Sequence, residues 1–210
     1  MNVENQIEAG RSKAVWGARA AMAIAATAGL FIPSCSKMIR TGQSPAYLVV
    51  NSVEGASGAA PGTFGSTVAS DVVTVVSGTS TVFSDPGRAN LQLQLKDTGS
   101  TSGPSPANAI TITQYHVKYI RSDGRNVQGV DVPFEFDGAV TVTIQDTGVV
   151  PFTLVRTQSK EEAPLRALRN GGSPITTVAE VTFFGHDQNG RDVTVSARLE
   201  VSFANWADPG

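Results

Sequence analysis

Asp192–Trp206 reads DVTVSARLEVSFANW, and its alternation decides the fold. Val193, Val195, Ala197, Leu199, Val201 and Phe203 take one parity, while Asp192, Thr194, Ser196, Arg198, Glu200 and Ser202 take the other. A period of two over so many residues is a strand with one face in a core and one in water. Asn189-Gly190 lies just upstream, and before it runs Thr176–Gly185, a second strand candidate. Asn-Gly suits a tight turn with positive φ, so the pair is expected to form a terminal hairpin.

The same reading extends towards the N-terminus. Ala46–Val53 (AYLVVNSV) is rich in β-branched and aromatic residues and is the first strand candidate. Asp71–Ser84 reads as two short strands around Ser77-Gly78, and Asp85-Pro86-Gly87 as a turn. Leu91, Leu93 and Leu95 alternate with Gln92, Gln94 and Lys96, which makes a half-buried strand. In Ala109–Arg121 the apolar phase changes from Ile110 and Ile112 to Tyr115, Val117 and Tyr119, so a bulge or a change of sheet is required. Val130, Val132, Phe134 and Phe136 suggest an edge strand closed by a hairpin at Asp137-Gly138, leading into Val140, Val142 and Ile144. Val149–Arg156 is another strand. Lys160–Arg169 alone in this part of the chain has helical spacing, through Leu165 and Leu168. Two stretches read as long polar loops, Glu54–Ser70 and Thr98–Asn108. The expectation is an all-β chain, an antiparallel β-sandwich over 46–210 with one short helix near 160–169.

Residues 1–34 read differently. Arg11, Lys13 and Arg19 precede Ala20–Ile32, an uncharged apolar run too short and too Ala-rich to span a bilayer well, which is the order of an export signal. It ends in Leu30-Phe31-Ile32-Pro33-Ser34-Cys35, which resembles the bacterial lipobox: Ile32 and Ser34 occupy the apolar and small positions before the cysteine. That resemblance implies a diacylglycerol on Cys35, cleavage after residue 34 and acylation of the new amino terminus. Each buried CH₂ adds roughly 0.8 kcal/mol of membrane affinity. Residues 35–45 would form a tether, and Ser36 after the cysteine implies the outer membrane by the same resemblance. Cys35 is the sole cysteine, so the chain holds no internal disulfide.

The sandwich pattern resembles immunoglobulin-like and fibronectin-like bacterial modules, without the Cys…Trp…Cys core signature. Ser44–Gly65 also resembles a group of uncharacterised lipoproteins of environmental bacteria, a likeness that brings no activity with it.

Charge narrows the function classes. Residues 35–210 carry 13 Lys and Arg against 16 Asp and Glu, a net of −3 without runs, so nucleic acid is not an expected partner. His116 and His186 lack the spacing of a zinc site, and no GxSxG, SxxK or Walker pattern occurs. Asp187, Asn189 and Asp192 partly imitate a calcium loop, but the twelfth position is Arg198 where a bidentate Glu belongs, and hairpin chemistry accounts for them. Asp131, Glu135 and Asp137 would share the outward face of one strand, which a solvated face explains better than a glycosidase pair. No cofactor and no catalytic residue is expected. The leading expectation is a lipid-anchored, non-enzymatic binding or adhesion module that meets a glycan, a peptide or an envelope protein through its loops. Phe64, between Gly62 and Gly65, is the candidate ligand contact. A structural subunit of an envelope assembly is the alternative, and a hydrolase the third.

Overall fold

The computed structural model describes residues 44–97, 99 and 103–206. Cys35 and the signal segment lie outside the described residues, as do most of the tether and most of the first half of the Thr98–Asn108 loop. The described part is all-β, with strands β1 (Ala46–Gly55), β2 (Thr67–Asp71), β3 (Thr74–Val76), β4 (Thr79–Thr81), β5 (Asp85–Leu95), β6 (Ile110–Ile120), β7 (Phe136–Ile144), β8 (Thr147–Val155), β9 (Ile175–Asp187) and β10 (Asp192–Ala204). A short helix, α1 (Thr157–Glu161), and a 3-10 helix at Leu165–Asn170 stand where one helix was expected, with the cis Ala163-Pro164 bond between them. Proline lacks the N–H that a continuous helix needs. Leu165 and Leu168 are buried, as their spacing suggested.

Among the described residues the strands form a sheet ordered β1-β5-β8, a sheet ordered β2-β10-β9-β6-β7, and the small pair β3-β4. The inward faces of the two larger sheets share one core. Tyr115, Phe152 and Phe183 meet there, with ring centroids 5.6–5.8 Å apart from β6 to β8 and from β8 to β9. Tyr119 Oη donates to the Leu154 carbonyl at 2.7 Å, and the Thr153 N–H donates to Tyr115 Oη at 3.1 Å, so two phenols of β6 tie the sheets together. Strands β7 and β8 are joined by two residues yet lie in different sheets, and the larger sheet curls around the core as a half-barrel.

The terminal hairpin forms as its alternation predicts, with β9 and β10 antiparallel from Ile175↔Phe203 to His186↔Asp192. The phase change in β6 is a bulge between Ile112 and Gln114, after which Tyr115, Val117 and Tyr119 turn inward. Ser77 and Gly78 turn β3 into β4 with φ of 51° and 78°.

Several sequence expectations are corrected. Asp85-Pro86-Gly87 is the first part of β5 rather than a turn; Gly87 faces the Phe152 ring, which leaves no room for a Cβ. Asp137-Gly138 lies inside β7, where Gly138 gives the Tyr115 ring its space, and the turn comes earlier. Val130–Glu135 is not a strand, so the alternation there is incidental: Val132 is buried, while Val130 and Phe134 are exposed in a loop. The Glu54–Ser70 loop is shorter than expected, because Thr67–Asp71 pairs in parallel with β10 as β2 and buries Val68 in the core. That parallel pairing is also a departure from a purely antiparallel arrangement. Ser44, expected in the tether, is buried, and the Lys96 N–H already donates to the Pro45 carbonyl.

Candidate interaction surface

Arg121–Glu135 connects β6 to β7 and holds itself in shape by its own polar groups. Asp123 accepts from the Arg121 guanidinium at 2.7 Å and 3.1 Å, from Arg125 Nε at 3.0 Å and from the Arg125 N–H at 3.1 Å. These donors, the Arg121 hydrogen bonds first, hold the Asp123 carboxyl well below the usual carboxylate range. Asn126 Oδ1 takes the Arg121 N–H at 2.6 Å. The Val127 carbonyl accepts from the N–H groups of Val130, Asp131 and Val132, and Asp131 Oδ2 returns the favour to the Val127 N–H at 3.1 Å. Gly124 and Gly129 supply positive φ, and the Phe134 ring lies where a Gly129 Cβ would stand. Val132 pins the loop in the core. Beside exposed polar side chains such as Arg125, Asp123 and Glu135, this frame presents three apolar ones outward: Val130 is 67% exposed, Val127 60% and Phe134 45%.

At the foot of the loop, His116 Nδ1 lies 3.0 Å from Asp137 Oδ1 and His116 Nε2 lies 3.7 Å from Glu135 Oε2. Asp131 bonds within the loop instead. The three carboxylates read as one outward face are therefore divided between two jobs: Asp131 braces the loop, and Glu135 and Asp137 flank His116.

Phe64 is half-buried, with the Arg88 guanidinium 4.3 Å above its ring centroid and Arg88 paired to Glu54 at 2.7 Å. One ring face is thus already occupied. The loop carrying it is closed at the neck by two hydrogen bonds between Gly55 and Gly65. At the terminal hairpin, Asp187 Oδ1 accepts the N–H groups of Asn189 and Arg191, both at 2.9 Å, and Gly190 has φ of 73°. Asp187 is buried and committed to this turn, while Asn189 and Asp192 are exposed. Among the described residues no three His, Cys, Asp or Glu side chains gather as metal ligands.

A second polar centre was not legible in the sequence. Asp85 Oδ1 accepts from Lys160 Nζ and from the Gly58 N–H, both at 2.7 Å, and Asp85 Oδ2 accepts from Ser70 Oγ at 2.5 Å. Lys160 Nζ also donates to the Asp71 carbonyl at 2.7 Å. Burial raises the Asp85 pKa above its ordinary value, against the pull of Lys160, and burial with the Asp85 charge pushes up the Tyr119 phenol. Every polar atom of the carboxylate is satisfied by the protein, so the geometry is that of a structural pair. A hollow of about 570 Å³ lies nearby, lined by Glu161, Glu162, Ala163, Arg166, Ala167 and Asn170. It holds no nucleophile beside a base.

The fold and surface define an all-β protein with a self-bonded loop that exposes three apolar side chains. No protein-family model matches the chain, and no curated protein matches it.

Proposed function

We propose that this protein is a lipid-anchored, non-enzymatic binding module of the cell envelope, exported by residues 1–34 and held at the outer membrane through Cys35. The lipobox-like Ile32-Pro33-Ser34-Cys35 supports the anchor. The domain is read as an immunoglobulin-like β-sandwich, supported by two larger sheets whose inward faces share one core.

The observation that carries the binding reading is the Arg121–Glu135 loop. An exposed Phe and two exposed Val side chains cost solvation, and a self-braced backbone removes the ordering entropy that recognition would otherwise spend. The partner this suits is an envelope protein with an apolar pocket, and Phe134 is the anchor. A structural subunit that packs against its own copies through the same loop is the second reading.

Two experiments test the proposal. Cys35→Ala is expected to lose labelled fatty acid and leave the membrane fraction; retention of label refutes the anchor. A photo-crosslinking residue at position 130 is expected to capture a single envelope protein in cells, and Phe134→Ala is expected to abolish that adduct. Capture of a second copy of the chain favours the structural reading, and an adduct indifferent to Phe134→Ala removes the loop from recognition.

A further inference from the structure

The outward face of the β1-β5-β8 sheet is built unlike the other solvated faces. Across β9, the larger sheet sets Lys118, Glu180 and Arg198 in one row, with Arg198 paired to Glu180. The smaller sheet has no charged residue in 46–53, 89–95 or 147–155. The Glu54–Arg88 pair stands at one end of the face and the exposed Lys96 at the other, so the uncharged stretch is its middle. In cross-strand register the face sets Tyr47 beside Gln94, Val49 beside Gln92, and Asn90 beside Val149. Tyr47 is 44% exposed and Val149 51%. Edge strands are usually guarded by charge, and β1 stands at the edge of its sheet with none until Glu54 near its end.

A charged ligand lying over the middle of the face would be desolvated without a counter-charge beside it, so this stretch favours a neutral one. Each amide offers one acceptor oxygen and two N–H donors, which complements hydroxyl groups that both donate and accept. Two of the amides are held in place: Asn90 Nδ2 donates to Ser52 Oγ at 2.6 Å, and Gln92 Oε1 accepts from Asn51 Nδ2 at 3.4 Å. An exposed tyrosine ring supplies a flat apolar surface of the kind that packs on the C–H face of a pyranose. The amides sit on β5, whose backbone is paired on both sides, so a ligand reaching them must lie across the face rather than extend the edge. We infer that this face binds a neutral polysaccharide, with Tyr47 as the stacking ring and Gln92 and Gln94 as its hydrogen-bonding groups. This site is separate from the Arg121–Glu135 loop and stands or falls without it.

The test is affinity electrophoresis of the full-length chain in non-ionic detergent, through gels containing mixed-linkage β-glucan, xyloglucan, galactomannan or amylose, with polygalacturonate as an acidic control. At least one neutral polymer is expected to retard the protein. Tyr47→Ala and Gln92→Ala are each expected to weaken that retardation about tenfold or more, as truncation at a central contact does. Phe134→Ala is expected to leave it unchanged. If Tyr47→Ala fails to fold, Gln92→Ala and Gln94→Ala carry the test. The inference is overturned if no neutral polymer retards the chain, if only polygalacturonate does, or if the variants migrate like the parent. It is equally overturned if the chain ignores every polymer but forms a dimer that Tyr47→Ala dissociates, since the face is then a contact between copies.

Discussion

Lys160 Nζ lies 2.7 Å from Asp85 Oδ1, and the two side chains are 1% and 0% exposed, so α1 is fastened to β5 by an ion pair that water does not reach. The attraction has to offset the desolvation of both groups, and it does so with help from Ser70, Gly58 and the Asp71 carbonyl.

Removing one partner leaves the other charged or unsatisfied in the core. Lys160→Met is expected to lose about 3–5 kcal/mol of stability by urea unfolding, with the Asp85→Leu, Lys160→Met double variant recovering part of it. A loss under about 0.5 kcal/mol would mean that the pair is hydrated in solution.

Gly138 is a strand residue whose missing side chain makes room for the Tyr115 ring. Gly138→Ala is expected to cost about 1–3 kcal/mol by overpacking. In a Tyr115→Ala background the same change should be milder, because the crowding partner is gone. Equal costs in both backgrounds would return position 138 to a turn.

Phe64 is neither a core cap nor a free contact. Half-buried beneath Arg88, its truncation to Ala is expected to cost about 1 kcal/mol, of which a double-mutant cycle with Arg88→Ala should attribute about 0.5–1 kcal/mol to their stacking. A loss of about 3–5 kcal/mol would place Phe64 in the core instead.

Asp123 governs the acid behaviour of the loop. Its folded pKa is depressed by the Arg121 and Arg125 donors, so its bracing is complete above the usual carboxylate range and is lost as pH falls through the lower, folded value. The Arg125 amide proton, bonded to Asp123 Oδ1, should report this by NMR with a midpoint well below about 3.9, the unperturbed Asp value. A midpoint at that ordinary value would show the clamp to be open in solution.

The strands that pair with sequence neighbours were legible from alternation and turn residues, because both signals are local. Asp192–Ala204 with its Asn-Gly turn, the Ser77-Gly78 turn and the β6 bulge all follow from which side chains must face the core. The errors fall where a local signal had two physical causes. Asp137-Gly138 and Pro86-Gly87 look like turns, but their glycines are there to admit the Tyr115 and Phe152 rings of other strands. Val130–Glu135 alternates like a strand, yet the N–H groups of Val130, Asp131 and Val132 close on the Val127 carbonyl, and the exposed Val130 and Phe134 became visible as a surface only with the loop in place. Lys160 and Asp85, 75 residues apart, each had a plausible solvent-exposed reading alone. By itself, then, the sequence determined the β class, the terminal hairpin and the absence of an internal disulfide, since these depend on residue type and periodicity along the chain. The parallel seat of β2 against β10, the buried Lys160–Asp85 pair and the two outward surfaces were decided by tertiary structure, because each depends on which distant segment covers a side chain and which leaves it in water.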